Sequence, residues 1–403
     1  MLQSNRTEGF VPARRPEIDL LLCAARTSRA PTTTARVEAL ARDGIDWGYL
    51  LRTAQRHGVE PLLYRQLSDI GADSVPKHIL EQLRSRFHAN QLRNLYLSGE
   101  LLKLLRELKA QNIPALPYKG PVLAAYAYGD VGLRWFGDLD VLVRDKDVPR
   151  ATTLLTSLGY QAQYRMTKAQ EAAFMRYERQ FAFMRADGCA VEIHWTVAPW
   201  PLPLSLDEKY LWGNTTQAAL GGGTVATLGP EALMITLCVH GAAHLWERLG
   251  WICDLAEVVR ASSGDVNWER LLERAEVLNV KRMLLLGALL AGELLDAKFP
   301  DKVLDEARLD RAVNRLAGEV HERLFIEDGP REVAEESAGW RFHLTAMERL
   351  QDKLWYCVHR ATAPNSMDWE MMPLPAVLFP CYRVLRPIRL GGRLVGGLLP
   401  SGR

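Results

Sequence analysis

Asp138-Leu139-Asp140-Val141-Leu142-Val143 is the part of this chain best suited to chemistry. Alternation along a strand places Asp138 and Asp140 on one face and Leu139, Val141 and Val143 on the other, so two carboxylates project side by side from an otherwise apolar strand. Like charges that close repel each other unless a cation lies between them, and paired carboxylate oxygens suit a hard ion of the Mg²⁺ type. A third acid follows in Cys189-Ala190-Val191-Glu192-Ile193-His194-Trp195, again an alternating run. If that strand pairs beside the first, Glu192 completes a three-carboxylate cluster, the layout needed for in-line attack on a nucleotide phosphate. His194 has the parity of Glu192 and is read as a structural side chain behind the cluster.

Upstream, Pro114 to Tyr118 is a short extended run bounded by prolines, and Lys119-Gly120 breaks it. A helix is expected from about Pro121 to Tyr128, with Gly120 letting backbone amides approach a ligand at the helix's positive end. Lys119 and Gly120 thus form a phosphate seat ahead of the carboxylates. Arg134 sits in the linker between them.

The order of these motifs resembles the DNA polymerase β-like nucleotidyltransferase superfamily, and within it the branch of uncharacterised nucleotidyltransferases. The residues that carry the resemblance are Lys119-Gly120, Tyr128, Arg134, Gly137 through Val143, and Val191-Glu192-Ile193-His194-Trp195, joined later by His240, His244, Trp246 and Asp254. Most of the superfamily has Gly-Ser at the corner before the metal strand, with the serine on the nucleotide phosphates; this chain shares its branch's Lys-Gly instead.

The resemblance implies an α+β fold: a small mixed-sheet core flanked by an N-terminal helical region and a C-terminal helical bundle. It implies Mg²⁺-dependent transfer of a nucleoside monophosphate, AMP by default, from an NTP to an acceptor, with pyrophosphate released and Mn²⁺ as a substitute ion. Asp138, Asp140 and Glu192 would bind metal, Lys119, Gly120 and Arg134 would bind the nucleotide, and His240, His244 and Asp254 would form the cleft wall. Two alternatives stand beside this reading. One is a non-catalytic nucleotide-binding or scaffold protein that keeps the fold, motivated by the missing serine. The other takes His240, His244 and Asp254 as a metal phosphohydrolase centre, although the glutamate of H-E-x-x-H is absent, and histidines hydrogen-bonded to Asp254 explain the same residues.

Composition narrows the classes. With 50 Lys and Arg against 48 Asp and Glu, the net charge of +2 gives no global electrostatic case for a nucleic-acid partner. The six cysteines contain no C-x-x-C pair, so neither a zinc knuckle nor a disulfide framework is indicated. No apolar stretch reaches bilayer length and no signal segment stands out at the N-terminus, which points to a cytoplasmic protein.

The elements that must position the acids follow from periodicity. Residues 1–15 are a flexible N-terminus and 16–112 a helical region broken at Pro31, Gly44, Gly58, Gly71 and Pro76. Its last helix, roughly Lys77 to Gln111, carries an apolar stripe of Ile79, Leu83, Phe87, Leu95, Leu101, Leu102, Leu105 and Leu108. Residues 113–198 form the catalytic core: after the metal strand come a helix over Asp145–Leu158, a strand over Tyr160–Arg165, a helix over Met166–Arg176 and a hairpin of 179–185 with the Glu192 strand. Residues 199–229 are a proline-marked linker with an extended stretch, and 230–370 a bundle, including long helices over Lys302–Phe325 and Gly339–Thr362. The tail, 371–403, has no acid and repeated arginines; prolines at 373, 375, 380 and 387 argue for a strap across the bundle over a membrane-docking amphipathic helix.

Overall fold

Prolines and glycines punctuate the first quarter of the chain, and a helix fills each interval between them. The computed structural model describes residues 15–42, 44–71, 73–164, 170–171, 175, 179–197, 208–262, 264–326, 332–363, 374–375, 378 and 381–396. Helices α1 to α5 span Pro16–Ala24, Pro31–Ala41, Trp47–Arg56, Glu60–Ile70 and Lys77–Ala110. Proline in the first turn of α1 and α2 removes an N–H that has no helical partner. Asp46 caps α3 by accepting from the Tyr49 N–H at 2.9 Å.

The buried stripe of α5 differs from the expected one at its middle. Ile79, Leu83, Leu101 and Leu108 are buried together with Leu97 and Leu104, but Leu95 is 55% exposed. Asn94 faces inward instead, donating to the carbonyls of Val131 at 2.7 Å and Arg134 at 2.8 Å. A polar side chain serves there because α5 covers a loop whose carbonyls need donors.

The core sheet has five strands in the order β1-β2-β5-β4-β3: Ala115–Pro117, Asp138–Val143, Ala190–His194, Gln180–Met184 and Gln161–Ala162. β2 and β5 are parallel and the other pairs antiparallel, so the sheet is mixed. Between β1 and β2, α6 (Gly120–Leu123) continues as a π-helical turn over Ala124–Tyr128. After β2, a 3₁₀ turn at Asp145–Asp147 leads into α7 (Val148–Ser157), which ends before Gly159 at φ 85°. The expected helix over Met166–Arg176 lies largely outside the described residues, and Pro199, Pro201 and Pro203 lie wholly outside them.

The stretch before residue 230 holds regular structure: a helix at Glu208–Gly213 and the hairpin of β6 (Thr215–Leu220) and β7 (Gly223–Leu228). Thr227 donates its hydroxyl to the Pro117 carbonyl at 2.7 Å, tying the hairpin to β1. Helices then run from Pro230–Ala243 and Leu249–Ala261 to Leu350–Thr362. Both long expected helices are split. Lys302–Phe325 breaks at Asp310, whose carboxylate caps the second piece through the Ala312 and Val313 N–H groups at 2.7 and 3.2 Å. Gly339–Thr362 breaks between Ala346 and Leu350. The tail also departs from expectation: Tyr382–Gly396 is one helix with Pro387 inside it. Packing against Leu350–Thr362 offsets the lost hydrogen bond, and Arg386 Nε donates to the Arg360 carbonyl at 3.0 Å.

The fold is therefore α+β, a small mixed sheet flanked by helices. One apolar core runs from Ile18 of α1 through Trp246 to Tyr356. A second lies behind the sheet, where Leu139, Val141, Val143, Val191 and Ile193 meet Leu101, Leu104 and Leu108 of α5. The apolar parity of β2 and β5 faces this second core, so the polar parity faces the other way. Among the described residues no helix is long and apolar enough to cross a membrane.

Candidate active site

Parallel pairing sets Asp140 opposite Glu192, Leu142 opposite His194 and Asp138 opposite Ala190. Side chains of matching parity on neighbouring strands share a face, so all four polar groups point away from the apolar core. They open into a cavity of about 750 Å³ between the sheet and the helices that follow residue 230. Of the site residues expected from sequence, all but Gly120 line it.

The polar groups converge tightly. His194 Nε2 lies 3.2 Å from Asp140 Oδ1 and 3.3 Å from Glu192 Oε2, and Lys119 Nζ donates to the same Asp140 oxygen at 3.1 Å. Asp140, Glu192 and His194 offer ligand atoms within 4.8 Å of one another. Asp138 lies on the same face and lines the cavity but stays outside that trio. His194 is the residue that sequence reading set aside. Its parity with Glu192 was the available signal, and the near-total burial of its ring, 5% exposed, is what the sequence did not show.

Electrostatics separate the two aspartates. Burial, and after it the charges of Asp140 and Glu192, push the Asp138 carboxyl up to about 6. Burial acts on Asp140 in the same direction, but Lys119 and His194 outweigh it and hold that carboxyl well below the usual range. The imidazole responds in kind: contact with Asp140 and Glu192 overcomes burial and raises the His194 pKa.

The donor set fits a divalent cation. Among the described residues, buried His194 Nε2 makes no aligned hydrogen bond although two carboxylates stand beside it. A buried ring nitrogen left in that state between two anionic oxygens has the geometry of a ligand. The carboxylates suit Mg²⁺ or Mn²⁺, and the imidazole extends the range toward softer ions.

The Lys119-Gly120 corner is fixed by close approach. Gly120 has φ 53°, and a Cβ there would meet the Asp138 carbonyl at 3.1 Å. Glycine is needed for both reasons, and the contact holds Lys119 against the start of β2.

Arg134 is already engaged. Its Nε and Nη2 donate to the two oxygens of Asp254 at 2.7 and 2.8 Å, and Tyr128 donates its hydroxyl to the same carboxylate at 2.7 Å. Nη1, also buried, has no hydrogen-bond partner among the described residues. Asp254 is thus occupied by Arg134 and Tyr128 and, among the described residues, bonds to neither histidine. The expected pairing of His240 or His244 with Asp254 is corrected accordingly.

The two histidines form a ring wall. Their centroids lie 4.6 Å apart, with Trp251 at 5.3 Å from His240 and 5.2 Å from His244. The helix ends at Ala243, so His244 stands just past it. Leu245 and Trp246 then take φ of 55° and 52°, turning the Trp246 indole beneath the helix, where a Cβ on Gly241 would lie 2.5 Å from it. Burial, reinforced by Lys119, lowers both imidazole pKa values, that of His244 to about 4, so this wall is neutral near pH 7. Among the described residues, His240, His244 and Asp254 do not gather at metal-ligand spacing.

A mixed sheet whose central parallel pair presents in-register acids to a cavity closed by helices has the architecture of a nucleotidyltransferase core. The chain matches the model of the uncharacterised nucleotidyltransferase family over residues 43–296, more than half its length, and belongs to that family. It is similar to two solved structures. The antibiotic-resistance factor ANT(2'')-Ia is 15% identical, with 47% of this chain and 90% of that one covered and a TM-score of 0.32. An antigenic nucleotidyltransferase-like protein from Paracoccidioides brasiliensis is 16% identical, with 52% and 96% covered and a TM-score of 0.30. These scores are too low for the chemistry of either protein to be carried over. No curated protein matches the chain.

Proposed function

We propose that the protein is a divalent-metal-dependent nucleotidyltransferase that moves a nucleoside monophosphate, AMP by default, from an NTP to an acceptor nucleophile. The observation that carries this reading is the in-register pair Asp140 and Glu192, with buried His194 Nε2 between them. Asp138, Asp140 and Glu192 would hold the metal, Mg²⁺ or Mn²⁺, and His194 would add a nitrogen donor or orient the carboxylates. When bound, such an ion supplies charge stabilisation at the transferring phosphoryl group and lowers the pKa of the attacking hydroxyl.

The chain's own groups account for the rest. Lys119 neutralises Asp140; with a cation held by that carboxylate, the Lys119 ammonium and the Gly120 amide would be available to the triphosphate. Arg134 is held rigid by Asp254, so its guanidinium is a fixed positive charge in the cavity wall facing the same phosphates. His240, His244 and Trp251 offer a neutral aromatic wall to the base or the acceptor. In the transfer, the acceptor oxygen or nitrogen forms a bond to the α-phosphorus, the bond from that phosphorus to the bridging oxygen breaks, and pyrophosphate leaves. The acceptor's proton passes to Glu192, the more exposed carboxylate of the pair.

One observation favours a second reading. Lys119 already balances Asp140, so a protein that binds nucleotide without turnover is the alternative. Pyrophosphate release from each common NTP, with and without Mg²⁺, separates the two. Under the first reading release needs metal and falls at least about a hundredfold in Asp140→Asn and Glu192→Gln. Metal-independent binding with no release in wild type would establish the second.

A further inference from the structure

A second cavity, of about 520 Å³, shares Tyr128 and Leu133 with the carboxylate cavity but contains none of its acids. Its remaining wall includes Arg29, from the loop before α2, and Tyr64 and Arg65 of α4 with Phe87 of α5.

The two arginines are brought together by a rigid scaffold. Gln66, 1% exposed, donates from Nε2 to the carbonyls of Arg26 at 3.2 Å and Ser28 at 2.9 Å, clamping the Arg29 loop onto α4. Glu257 holds the same loop, accepting from the Thr27 N–H at 3.0 Å and hydroxyl at 2.5 Å. Arg29 has a counter-ion in Asp69 at 3.1 Å. Among the described residues, the Arg65 guanidinium has neither a hydrogen bond nor an ion pair. Burial, and after it the Arg29 charge, hold the Arg65 pKa below its ordinary value, outweighing Asp130, Asp69 and Glu257, which act in the other direction. The acid in the wall, Asp130, spends one oxygen on the Gly132 N–H at 2.8 Å.

Arg29 is exposed and Arg65 half-buried at the same cavity, and two like charges this close, one of them without a hydrogen-bonded acid among the described residues, are an arrangement that an anion relieves. Tyr64 and Phe87, with ring centroids 5.0 Å apart and planes tilted by 37°, add an aromatic surface beside them. We propose that this cavity is a second anion site, which takes the phosphate group of a small molecule between Arg29 and Arg65. It goes beyond the transfer reaction and stands whether or not that reaction does.

The test is calorimetric titration of inorganic phosphate, pyrophosphate and AMP, without divalent metal, into the full chain carrying Lys119→Ala. That variant removes the Lys119 ammonium from the carboxylate cavity and leaves the lining of the second cavity unchanged. The expected result is saturable binding of at least one probe, weakened about tenfold or more by Arg65→Gln and by Arg29→Gln, with part of the affinity recovered in Arg65→Lys. AMP binding that exceeds phosphate binding and loses that advantage in Tyr64→Ala identifies a nucleotide's phosphate; equal binding identifies free phosphate. Thermal midpoints confirm that each variant is folded, and the two arginine variants stand in for each other if one is not. No saturable binding of any probe, or binding unaffected by both arginine changes, overturns the proposal.

Discussion

Asp138 carries a charge that the fold disfavours. Its pKa rises from 3.8 to about 6, so the folded state holds the proton more tightly than the unfolded one. The associated stability is fully present below about pH 4 and is lost as pH rises through 6, so the ionised group costs about 1–3 kcal/mol at pH 7.5. Denaturant unfolding in EDTA should show Asp138→Asn more stable than wild type by that amount at pH 7.5 and level with it at pH 4; equal stability at both would refute the shift. Asp254 behaves oppositely, since removing it strands the buried Arg134 charge. Asp254→Ala should cost about 3–5 kcal/mol, and a double change of Arg134→Met with Asp254→Leu should cost much less. At this scale the sequence showed the acids well, because strand alternation determines which face a residue takes. It did not show that Lys119 pairs with Asp140 or that Arg134 and Asp254 join across 120 residues, since both depend on how distant elements pack.

The corner between β1 and α6 is the element on which the site turns. Gly120→Ala would force an L residue into φ 53° and press a methyl onto the Asp138 carbonyl. It should cost about 1–3 kcal/mol and raise the KM for nucleotide more than it lowers thermal stability, because Lys119 and the start of β2 move together. Steady-state kinetics beside a thermal melt decide this, and an unchanged KM would detach the corner from the phosphates. Elements were legible wherever Pro, Gly and period agreed, as in α1 to α5 and β2. They were misread where a polar side chain replaced the cue: Asn94 inside the stripe of α5, and Asp310 as a cap within an apparently continuous helix. Pro387 misled in the opposite sense, since packing retained a helix that local chemistry disfavours.

Across the whole molecule, the helices before the sheet are pinned to those after it through His57. Its Nδ1 accepts from the Leu249 N–H at 3.1 Å, and its carbonyl accepts from the Gly250 N–H at 3.0 Å. A Cβ on Gly250 would come within 2.8 Å of that carbonyl, so glycine permits the junction. His57 is 1% exposed, and burial, assisted by Arg56, lowers its pKa from 6.5 to about 3. The neutral ring is the native form, so its stability contribution is complete above about pH 7 and drains away as pH falls toward 3. Between pH 7.5 and 5 this residue alone should remove about 2 kcal/mol, a slope that His57→Gln abolishes in pH-dependent denaturant melts. The junction was not legible in the sequence, because a lone histidine at a helix end announces no partner 192 residues away.

The most direct test of the central claim is calorimetric titration of ATP with and without Mg²⁺, into wild type and an Asp138→Asn/Asp140→Asn double variant. Binding in wild type should tighten with Mg²⁺ and lose that dependence in the variant, since two of the carboxylates proposed to hold the ion are gone. ATP binding identical in the two proteins with Mg²⁺ present would contradict it, placing the nucleotide away from β2 and β5.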